Sequence, residues 1–147
     1  MNSHETNRNG RNLVENELTM RGAGSVQTVG TQKIRLRATS QDGSRTVIIK
    51  VKTKRKGNWH TSANEGIAVN ATAENEEQFW VFVELNDEPK FWIVPDRWIR
   101  STIQKTHEEY LREHGGHRPV NDNSDHHSIN NYRIQEWQNK WDLLEIF

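Results

Sequence analysis

Apolar residues follow first a helical spacing and then an alternating one. Over residues 5–21, Leu13, Val14, Leu18 and Met20 form an apolar side that predicts a helix. Thr6 can cap its start, and Gly22 stands where a left-handed residue closes a helix. The glycine-bounded stretch 22–30 leaves room for a short strand at Ser25–Val29. Ile34, Leu36 and Ala38 then alternate with Arg35, Arg37 and Thr39, the period of a half-buried strand. Asp42-Gly43 is a tight-turn dipeptide. The returning strand, Thr46–Lys52, puts Val47, Ile49 and Val51 on one side and Ile48, Lys50 and Lys52 on the other. A loop with Gly57, Asn58, Ser62, Asn64 and Gly66 follows, then an acidic stretch at 74–77.

Phe79–Leu85 is almost continuously apolar and rich in aromatic and β-branched residues, which suits a strand covered on both faces. Residues 86–89 turn the chain into a second such strand, Phe91–Val94. Pro95 or Asp96 opens a helix to about His114, with Trp98, Ile99, Ile103 and Leu111 as its apolar side and Gly115-Gly116 as its stop. Residues 117–131 are polar and predict a loop. Ile134, Trp137, Trp141 and Leu144 have helical spacing, which predicts a last helix over 132–144. The expected architecture is α/β (α+β): one domain over 1–147, with a mixed central sheet of four to five strands flanked by helices.

Composition narrows the setting. The 147 residues include no cysteine, which excludes disulfides and thiolate zinc sites and fits a reducing, cytoplasmic location. No apolar run is long enough to span a membrane, and the first residues lack the apolar centre of a signal peptide. Acidic and basic residues balance at 20 each, which argues against indiscriminate coating of nucleic acid. The charge is nevertheless unevenly placed. Lys33, Arg35, Arg37, Arg45, Lys50, Lys52, Lys54, Arg55 and Lys56 face a single acid, Asp42, while 65–88 holds acids and no base. Such a cluster reads either as a phosphate-binding surface or as solvated strand faces.

Thr46–Arg55 reads TVIIKVKTKR, a strand ending in Lys50-Val51-Lys52, with Thr53, Lys54, Arg55 and Trp59 behind it. This resembles the core motif of the PD-(D/E)XK, or restriction-endonuclease-like, nucleases. The leading helix with Gly10 and Glu15 looks like the family's first helix, and Ile34–Val51 looks like its active-site hairpin. Trp80-Val81-Phe82-Val83 and Phe91-Trp92-Ile93-Val94-Pro95 look like its closing strands. The likeness covers most of 8–145 and rests on the order and spacing of these motifs together.

The resemblance implies magnesium-assisted phosphodiester hydrolysis. Magnesium takes hard oxygen ligands in octahedral geometry, polarises a phosphoryl oxygen and helps to generate hydroxide. The family's ligands are an aspartate on the first hairpin strand, an acid or glutamine on the second, and often a glutamate on the first helix. A lysine follows two residues after the second. Carried over residue by residue, Glu15 matches the helix acid and Lys52 the lysine, so both are candidate catalytic residues and Glu15 is the candidate metal ligand. The aspartate position falls at or near Arg35, and the acid-or-glutamine position is Lys50. Two like unit charges at about 4 Å cost ~4 kcal/mol at an effective dielectric of about 20, roughly three decades in affinity. The expectation is therefore a pseudoenzyme with no cofactor, or with magnesium if cleavage persists.

Other candidates have simpler roles. Asp42 reads as a turn residue rather than a relocated ligand, and Glu84 as the partner of a nearby lysine or arginine. His114, His117, His126 and His127 match no zinc spacing and read as surface loop. The tryptophans at 80, 92, 98, 137 and 141 read as packing residues. Arg35, Lys50 and Lys52 share one face if the hairpin pairs about Asp42-Gly43, which suits phosphate. Lys54, Arg55 and Trp59 on the following loop would add phosphate contacts and base stacking, although a buried Trp59 anchoring the loop fits equally well. These six are the candidate nucleic-acid-binding residues. Three functions stay open: a nucleic-acid binder, DNA before RNA, without cleavage; a working magnesium endonuclease with relocated ligands; and a protein–protein accessory module. A homodimer is compatible with each. The cation cluster favours the first.

Overall fold

A computed structural model describes residues 3–30, 35–62, 77–113 and 126–147. Helix α1, Ser3–Arg21, buries Gly10, Val14 and Leu18, a stripe spaced by four residues. Its apolar side is thus turned toward Gly10, and Met20, expected inside, is 72% exposed. Gly10 allows close approach: a Cβ there would stand 1.8 Å from Thr53 Oγ1. α1 ends at Gly22, which is left-handed at φ 114°, as expected. Ala23 N–H closes the helix end by donating to Leu18 O at 3.0 Å.

The next strands are β1, Ser25–Val29; β2, Arg35–Thr39; and β3, Thr46–Lys54. Their neighbours pair antiparallel. The connection between β2 and β3 is wider than a two-residue turn. Gly43, at φ 74°, donates its N–H to Ser40 O at 3.0 Å. Asp42 Oδ1 accepts from Ser40 Oγ, Ser44 Oγ and Ser44 N at 2.7, 2.7 and 3.0 Å. The bonds from Ser44 and Ser40 lower the Asp42 carboxyl from 3.8 to about 2. Asp42 organises this loop, at the far end of the hairpin from the Arg35–Lys50 pair.

Next come β4, Trp59–Ser62; β5, Glu77–Glu84; β6, Lys90–Pro95; α2, Asp96–Glu113; and β7, His126–Ile129. β5 lies parallel to β3 and antiparallel to β6, giving a mixed sheet ordered β1-β2-β3-β5-β6. β4 and β7 form a separate antiparallel ribbon. Alternation divides the core in two. Val14 and Leu18 of α1 cover Leu36, Ile49, Val81 and Ile93 on one face, together with Trp141 and Leu144. Ile99 and Ile103 of α2, with Trp59, Ile129 and Ile134, cover Trp80, Phe82, Trp92 and Val94 on the other. Trp98 and Trp137 stack edge to face at 4.6 Å against this second cluster. Among the described residues, no helix is long and apolar enough to cross a membrane.

Three expectations are corrected. β3 extends to Lys54 and β4 begins at Trp59, so neither residue lies on a loop. The polar segment expected as loop contributes β7, because β4 offers it a ladder. The last segment is two 3-10 turns, Asn131–Trp137 and Trp141–Leu144, and not an α-helix. Between them Asn139 turns left-handed at φ 58° and donates its N–H to Phe91 O at 2.9 Å. Pairing with the edge of β6 thus interrupts the helical spacing, while Ile134, Trp141 and Leu144 stay buried. Ile34, the stretch 74–76, Gly115-Gly116 and two of the candidate histidines, His114 and His117, lie outside the described residues.

Candidate functional site

The hairpin register puts Arg35 directly opposite Lys50. Side chains so placed have Cβ atoms about 4.5–5.5 Å apart. Alternation sets Lys50 and Lys52 on that same face, as expected, and because β3 runs on to Lys54 it adds Lys54, which was expected on the loop. β5 places Trp80 beside Lys50, Phe82 beside Lys52 and Glu84 beside Lys54. Lys50 Nζ lies 4.8 Å from the centre of the Trp80 ring, and Lys52 Nζ lies 5.8 Å from it. Each such contact contributes about 0.5–2 kcal/mol and offsets part of the repulsion between the ammonium groups. Trp80 in turn donates its indole N–H to Asp96 Oδ1 at 2.7 Å. Asp96 is buried at the start of α2 and pairs with Arg100. A buried carboxylate therefore stands at the edge of the ring on which two lysines rest.

Lys54 differs from its neighbours. It is 7% exposed, and its ammonium meets Glu84 Oε2 at 3.2 Å, Gly57 O and Asn131 Oδ1. Those partners use all three of its donors. Its Nζ also lies 4.0 Å from the centre of the Trp59 ring. Burial pushes the Glu84 carboxyl up, but hydrogen bonds from Asn131 and Lys54 and the charges of Lys54 and Lys90 outweigh it and hold the group below its ordinary value. This is the lysine partner foreseen for Glu84. Trp59 is the buried anchor: 2% exposed, it donates to Val83 O at 3.0 Å and meets Phe82 and Trp92 edge-on at 5.2 Å. Its faces are thus taken up by the core and are not open for base stacking. Lys54 and Trp59 hold the floor of the site.

These elements bound an open cleft of about 950 Å³ between α1, the end of β3 and β4. β3 and the turn after it supply Lys50, Lys52, Lys54, Arg55 and Lys56; α1 supplies Arg8 and Arg11. His4 and His60 complete a lining that holds no carboxylate among the described residues. Lys52 Nζ donates to His60 O at 3.3 Å, which ties β3 to β4. Sequence reasoning missed Arg8 and Arg11. Their signal was the recurrence of His4, Arg8 and Arg11 at helical spacing beside the Gly10–Val14–Leu18 stripe.

Two candidates fall outside the lining. Arg35 stands across the ladder from Lys50, and Glu15 is half-buried one turn of α1 beyond Arg11. The side chains at the two hairpin ligand positions, a guanidinium and an ammonium, do not fit magnesium, which requires anionic or neutral oxygen. Among the described residues, no group of three or more His, Asp or Glu side chains converges as a ligand set. The chemistry of this lining suits polyanions: it holds the guanidinium groups of Arg8, Arg11 and Arg55, a group whose paired N–H donors match phosphate, and lysines, whose ammonium groups act as point charges. Comparison with family models, with curated proteins and with solved structures finds no match.

Proposed function

We propose that this chain binds nucleic acid, DNA in preference to RNA, through the cleft between α1, β3 and β4. In this reading the scaffold is restriction-endonuclease-like and no longer cleaves. One observation carries the binding: besides the buried Lys54, six Lys and Arg residues from α1, β3 and the turn after it line one concavity whose described lining holds no carboxylate. A concave low-dielectric wall focuses such charge and concentrates a polyanion, although the whole chain is neutral. The scaffold reading is supported by a leading helix, an antiparallel hairpin and a parallel strand beside it, in the order the resemblance implies. Loss of cleavage is supported by the Arg35–Lys50 register, which pairs two cations where the resemblance calls for ligands.

Fluorescence anisotropy against salt tests the binding. Lys54 is matched by Glu84, so even if each of the other six cleft cations exchanged its present contacts for a phosphate, the slope of log K against log[salt] on duplex DNA would be no steeper than about −5. The Arg8→Ala, Arg11→Ala, Lys52→Ala variant is expected to flatten that slope by about one unit per phosphate contact removed. A salt-independent affinity, or an unchanged slope in the variant, would sink the reading in favour of a protein-binding module. Magnesium- or manganese-dependent cutting of DNA by the unaltered protein would overturn the loss of cleavage.

A further inference from the structure

A second cleft, of about 520 Å³, opens on another edge of α1 beside the turn that joins β5 to β6. It meets the basic cleft at Arg55, which lines both. Its chemistry is different. Asn12 and Asn16, one turn apart on α1, line it with Asn9 and with Asn86 of the facing turn, whose Nδ2 also donates to Glu84 Oε1 at 3.5 Å, while Leu13, Leu85 and Pro89 supply apolar wall. Its described lining holds one cation, Arg55, and one carboxylate, Asp87, so it carries no net positive charge to attract phosphate. It suits a neutral planar heterocycle. Each amide offers donors and an acceptor in one plane, the pairing by which asparagine reads a base edge, and the apolar groups meet the ring faces. Both clefts lie at the carboxyl ends of the parallel pair β3 and β5.

We infer that the amide-lined cleft accepts one unstacked base of a bound strand whose phosphates lie in the basic cleft, with Arg55 at the passage between them. The inference rests on the basic-cleft reading and specifies its ligand as single-stranded or locally opened DNA. A paired base must first leave its stack, which favours strands that are already open.

The test is Asn12→Ala with Asn16→Ala, measured by anisotropy on a single-stranded oligonucleotide and on a hairpin duplex of the same composition. Both positions are exposed on α1, and alanine is the better helix former, so weaker binding would not reflect a lost fold. The expected result is roughly tenfold weaker binding to the single strand, with duplex affinity and both salt slopes unchanged. No loss on the single strand, or an equal loss on the duplex, overturns the inference and leaves the basic cleft standing. Failure of the unaltered protein to bind either oligonucleotide overturns both readings.

Discussion

Replacing Gly10 with alanine probes how α1 is seated on the sheet, and with it one wall of the basic cleft. The added methyl would stand 1.8 Å from Thr53 Oγ1, 2.7 Å from its Cγ2 and 2.8 Å from its Cβ. Rotation about the Thr53 side chain relieves the first two contacts. It cannot relieve the third, because the backbone fixes Cβ, so α1 must lift from β3 by some tenths of an ångström. Overpacking of this kind costs about 1–3 kcal/mol, and alanine returns up to about 1 kcal/mol of helix propensity. The expected net loss is about 1–2 kcal/mol, a fall of roughly 3–8 °C in thermal midpoint for a chain of this length. Calorimetry and urea titration measure it. Adding Thr53→Ala removes Oγ1 and Cγ2, and the double-mutant cycle should show a coupling of about 1 kcal/mol. Thr19→Ala, at an exposed position of the same helix, should be neutral or slightly stabilising. If Gly10→Ala is as stable as the unaltered protein and uncoupled from Thr53, α1 does not cross β3 where the structure puts it.

Glu84→Ala strands the buried Lys54 ammonium and should destabilise the fold by about 3–5 kcal/mol, with Glu84→Gln costing less because its amide oxygen still accepts; a loss under about 0.5 kcal/mol in urea melts would remove the ion pair from the account. Glu84 and Asp42 both have folded-state values below their ordinary ones, so the stability they supply is complete above the ordinary carboxylate range and is lost as pH falls through the folded values, for Asp42 between 3.8 and about 2. Urea midpoints taken from pH 5 to 2 should therefore decline, and a midpoint that holds steady or rises would contradict the sign. Arg35→Asp with Lys50→Glu replaces the opposed cations with carboxylates and should raise magnesium affinity in calorimetry; equal heats before and after substitution would detach those positions from any ligand role.

Much of the fold could be read from local pattern. The alternation over 34–52 gives β2 and β3 with the correct faces, and the Asp42-Gly43 pair places the reversal, so the Arg35–Lys50 register follows almost directly. The aromatic runs give β5 and β6, and Asp96 opens α2 as foreseen. The site was half legible. Lys50, Lys52 and Arg55 line the cleft, but Arg8 and Arg11 were not singled out, because the helical spacing of α1 does not say that its flank beside Gly10 meets the end of β3. Lys54 and Lys52 look alike in the sequence; only the parallel register with β5, which brings Glu84 beside Lys54, separates a buried pin from a cleft cation.

The division has one physical cause. Side-chain period is set by the covalent geometry of strand and helix, so five residues suffice to declare a half-buried strand and its inward face. Which element meets which depends on contacts between residues far apart along the chain, whose closure leaves no local trace. The sequence by itself therefore determined the hairpin, the strands β5 and β6 and the cluster of cations. Tertiary structure alone decided that β7 joins β4, that the last segment breaks into 3-10 turns against β6, and that two arginines of α1 meet the lysines of β3 across one cleft.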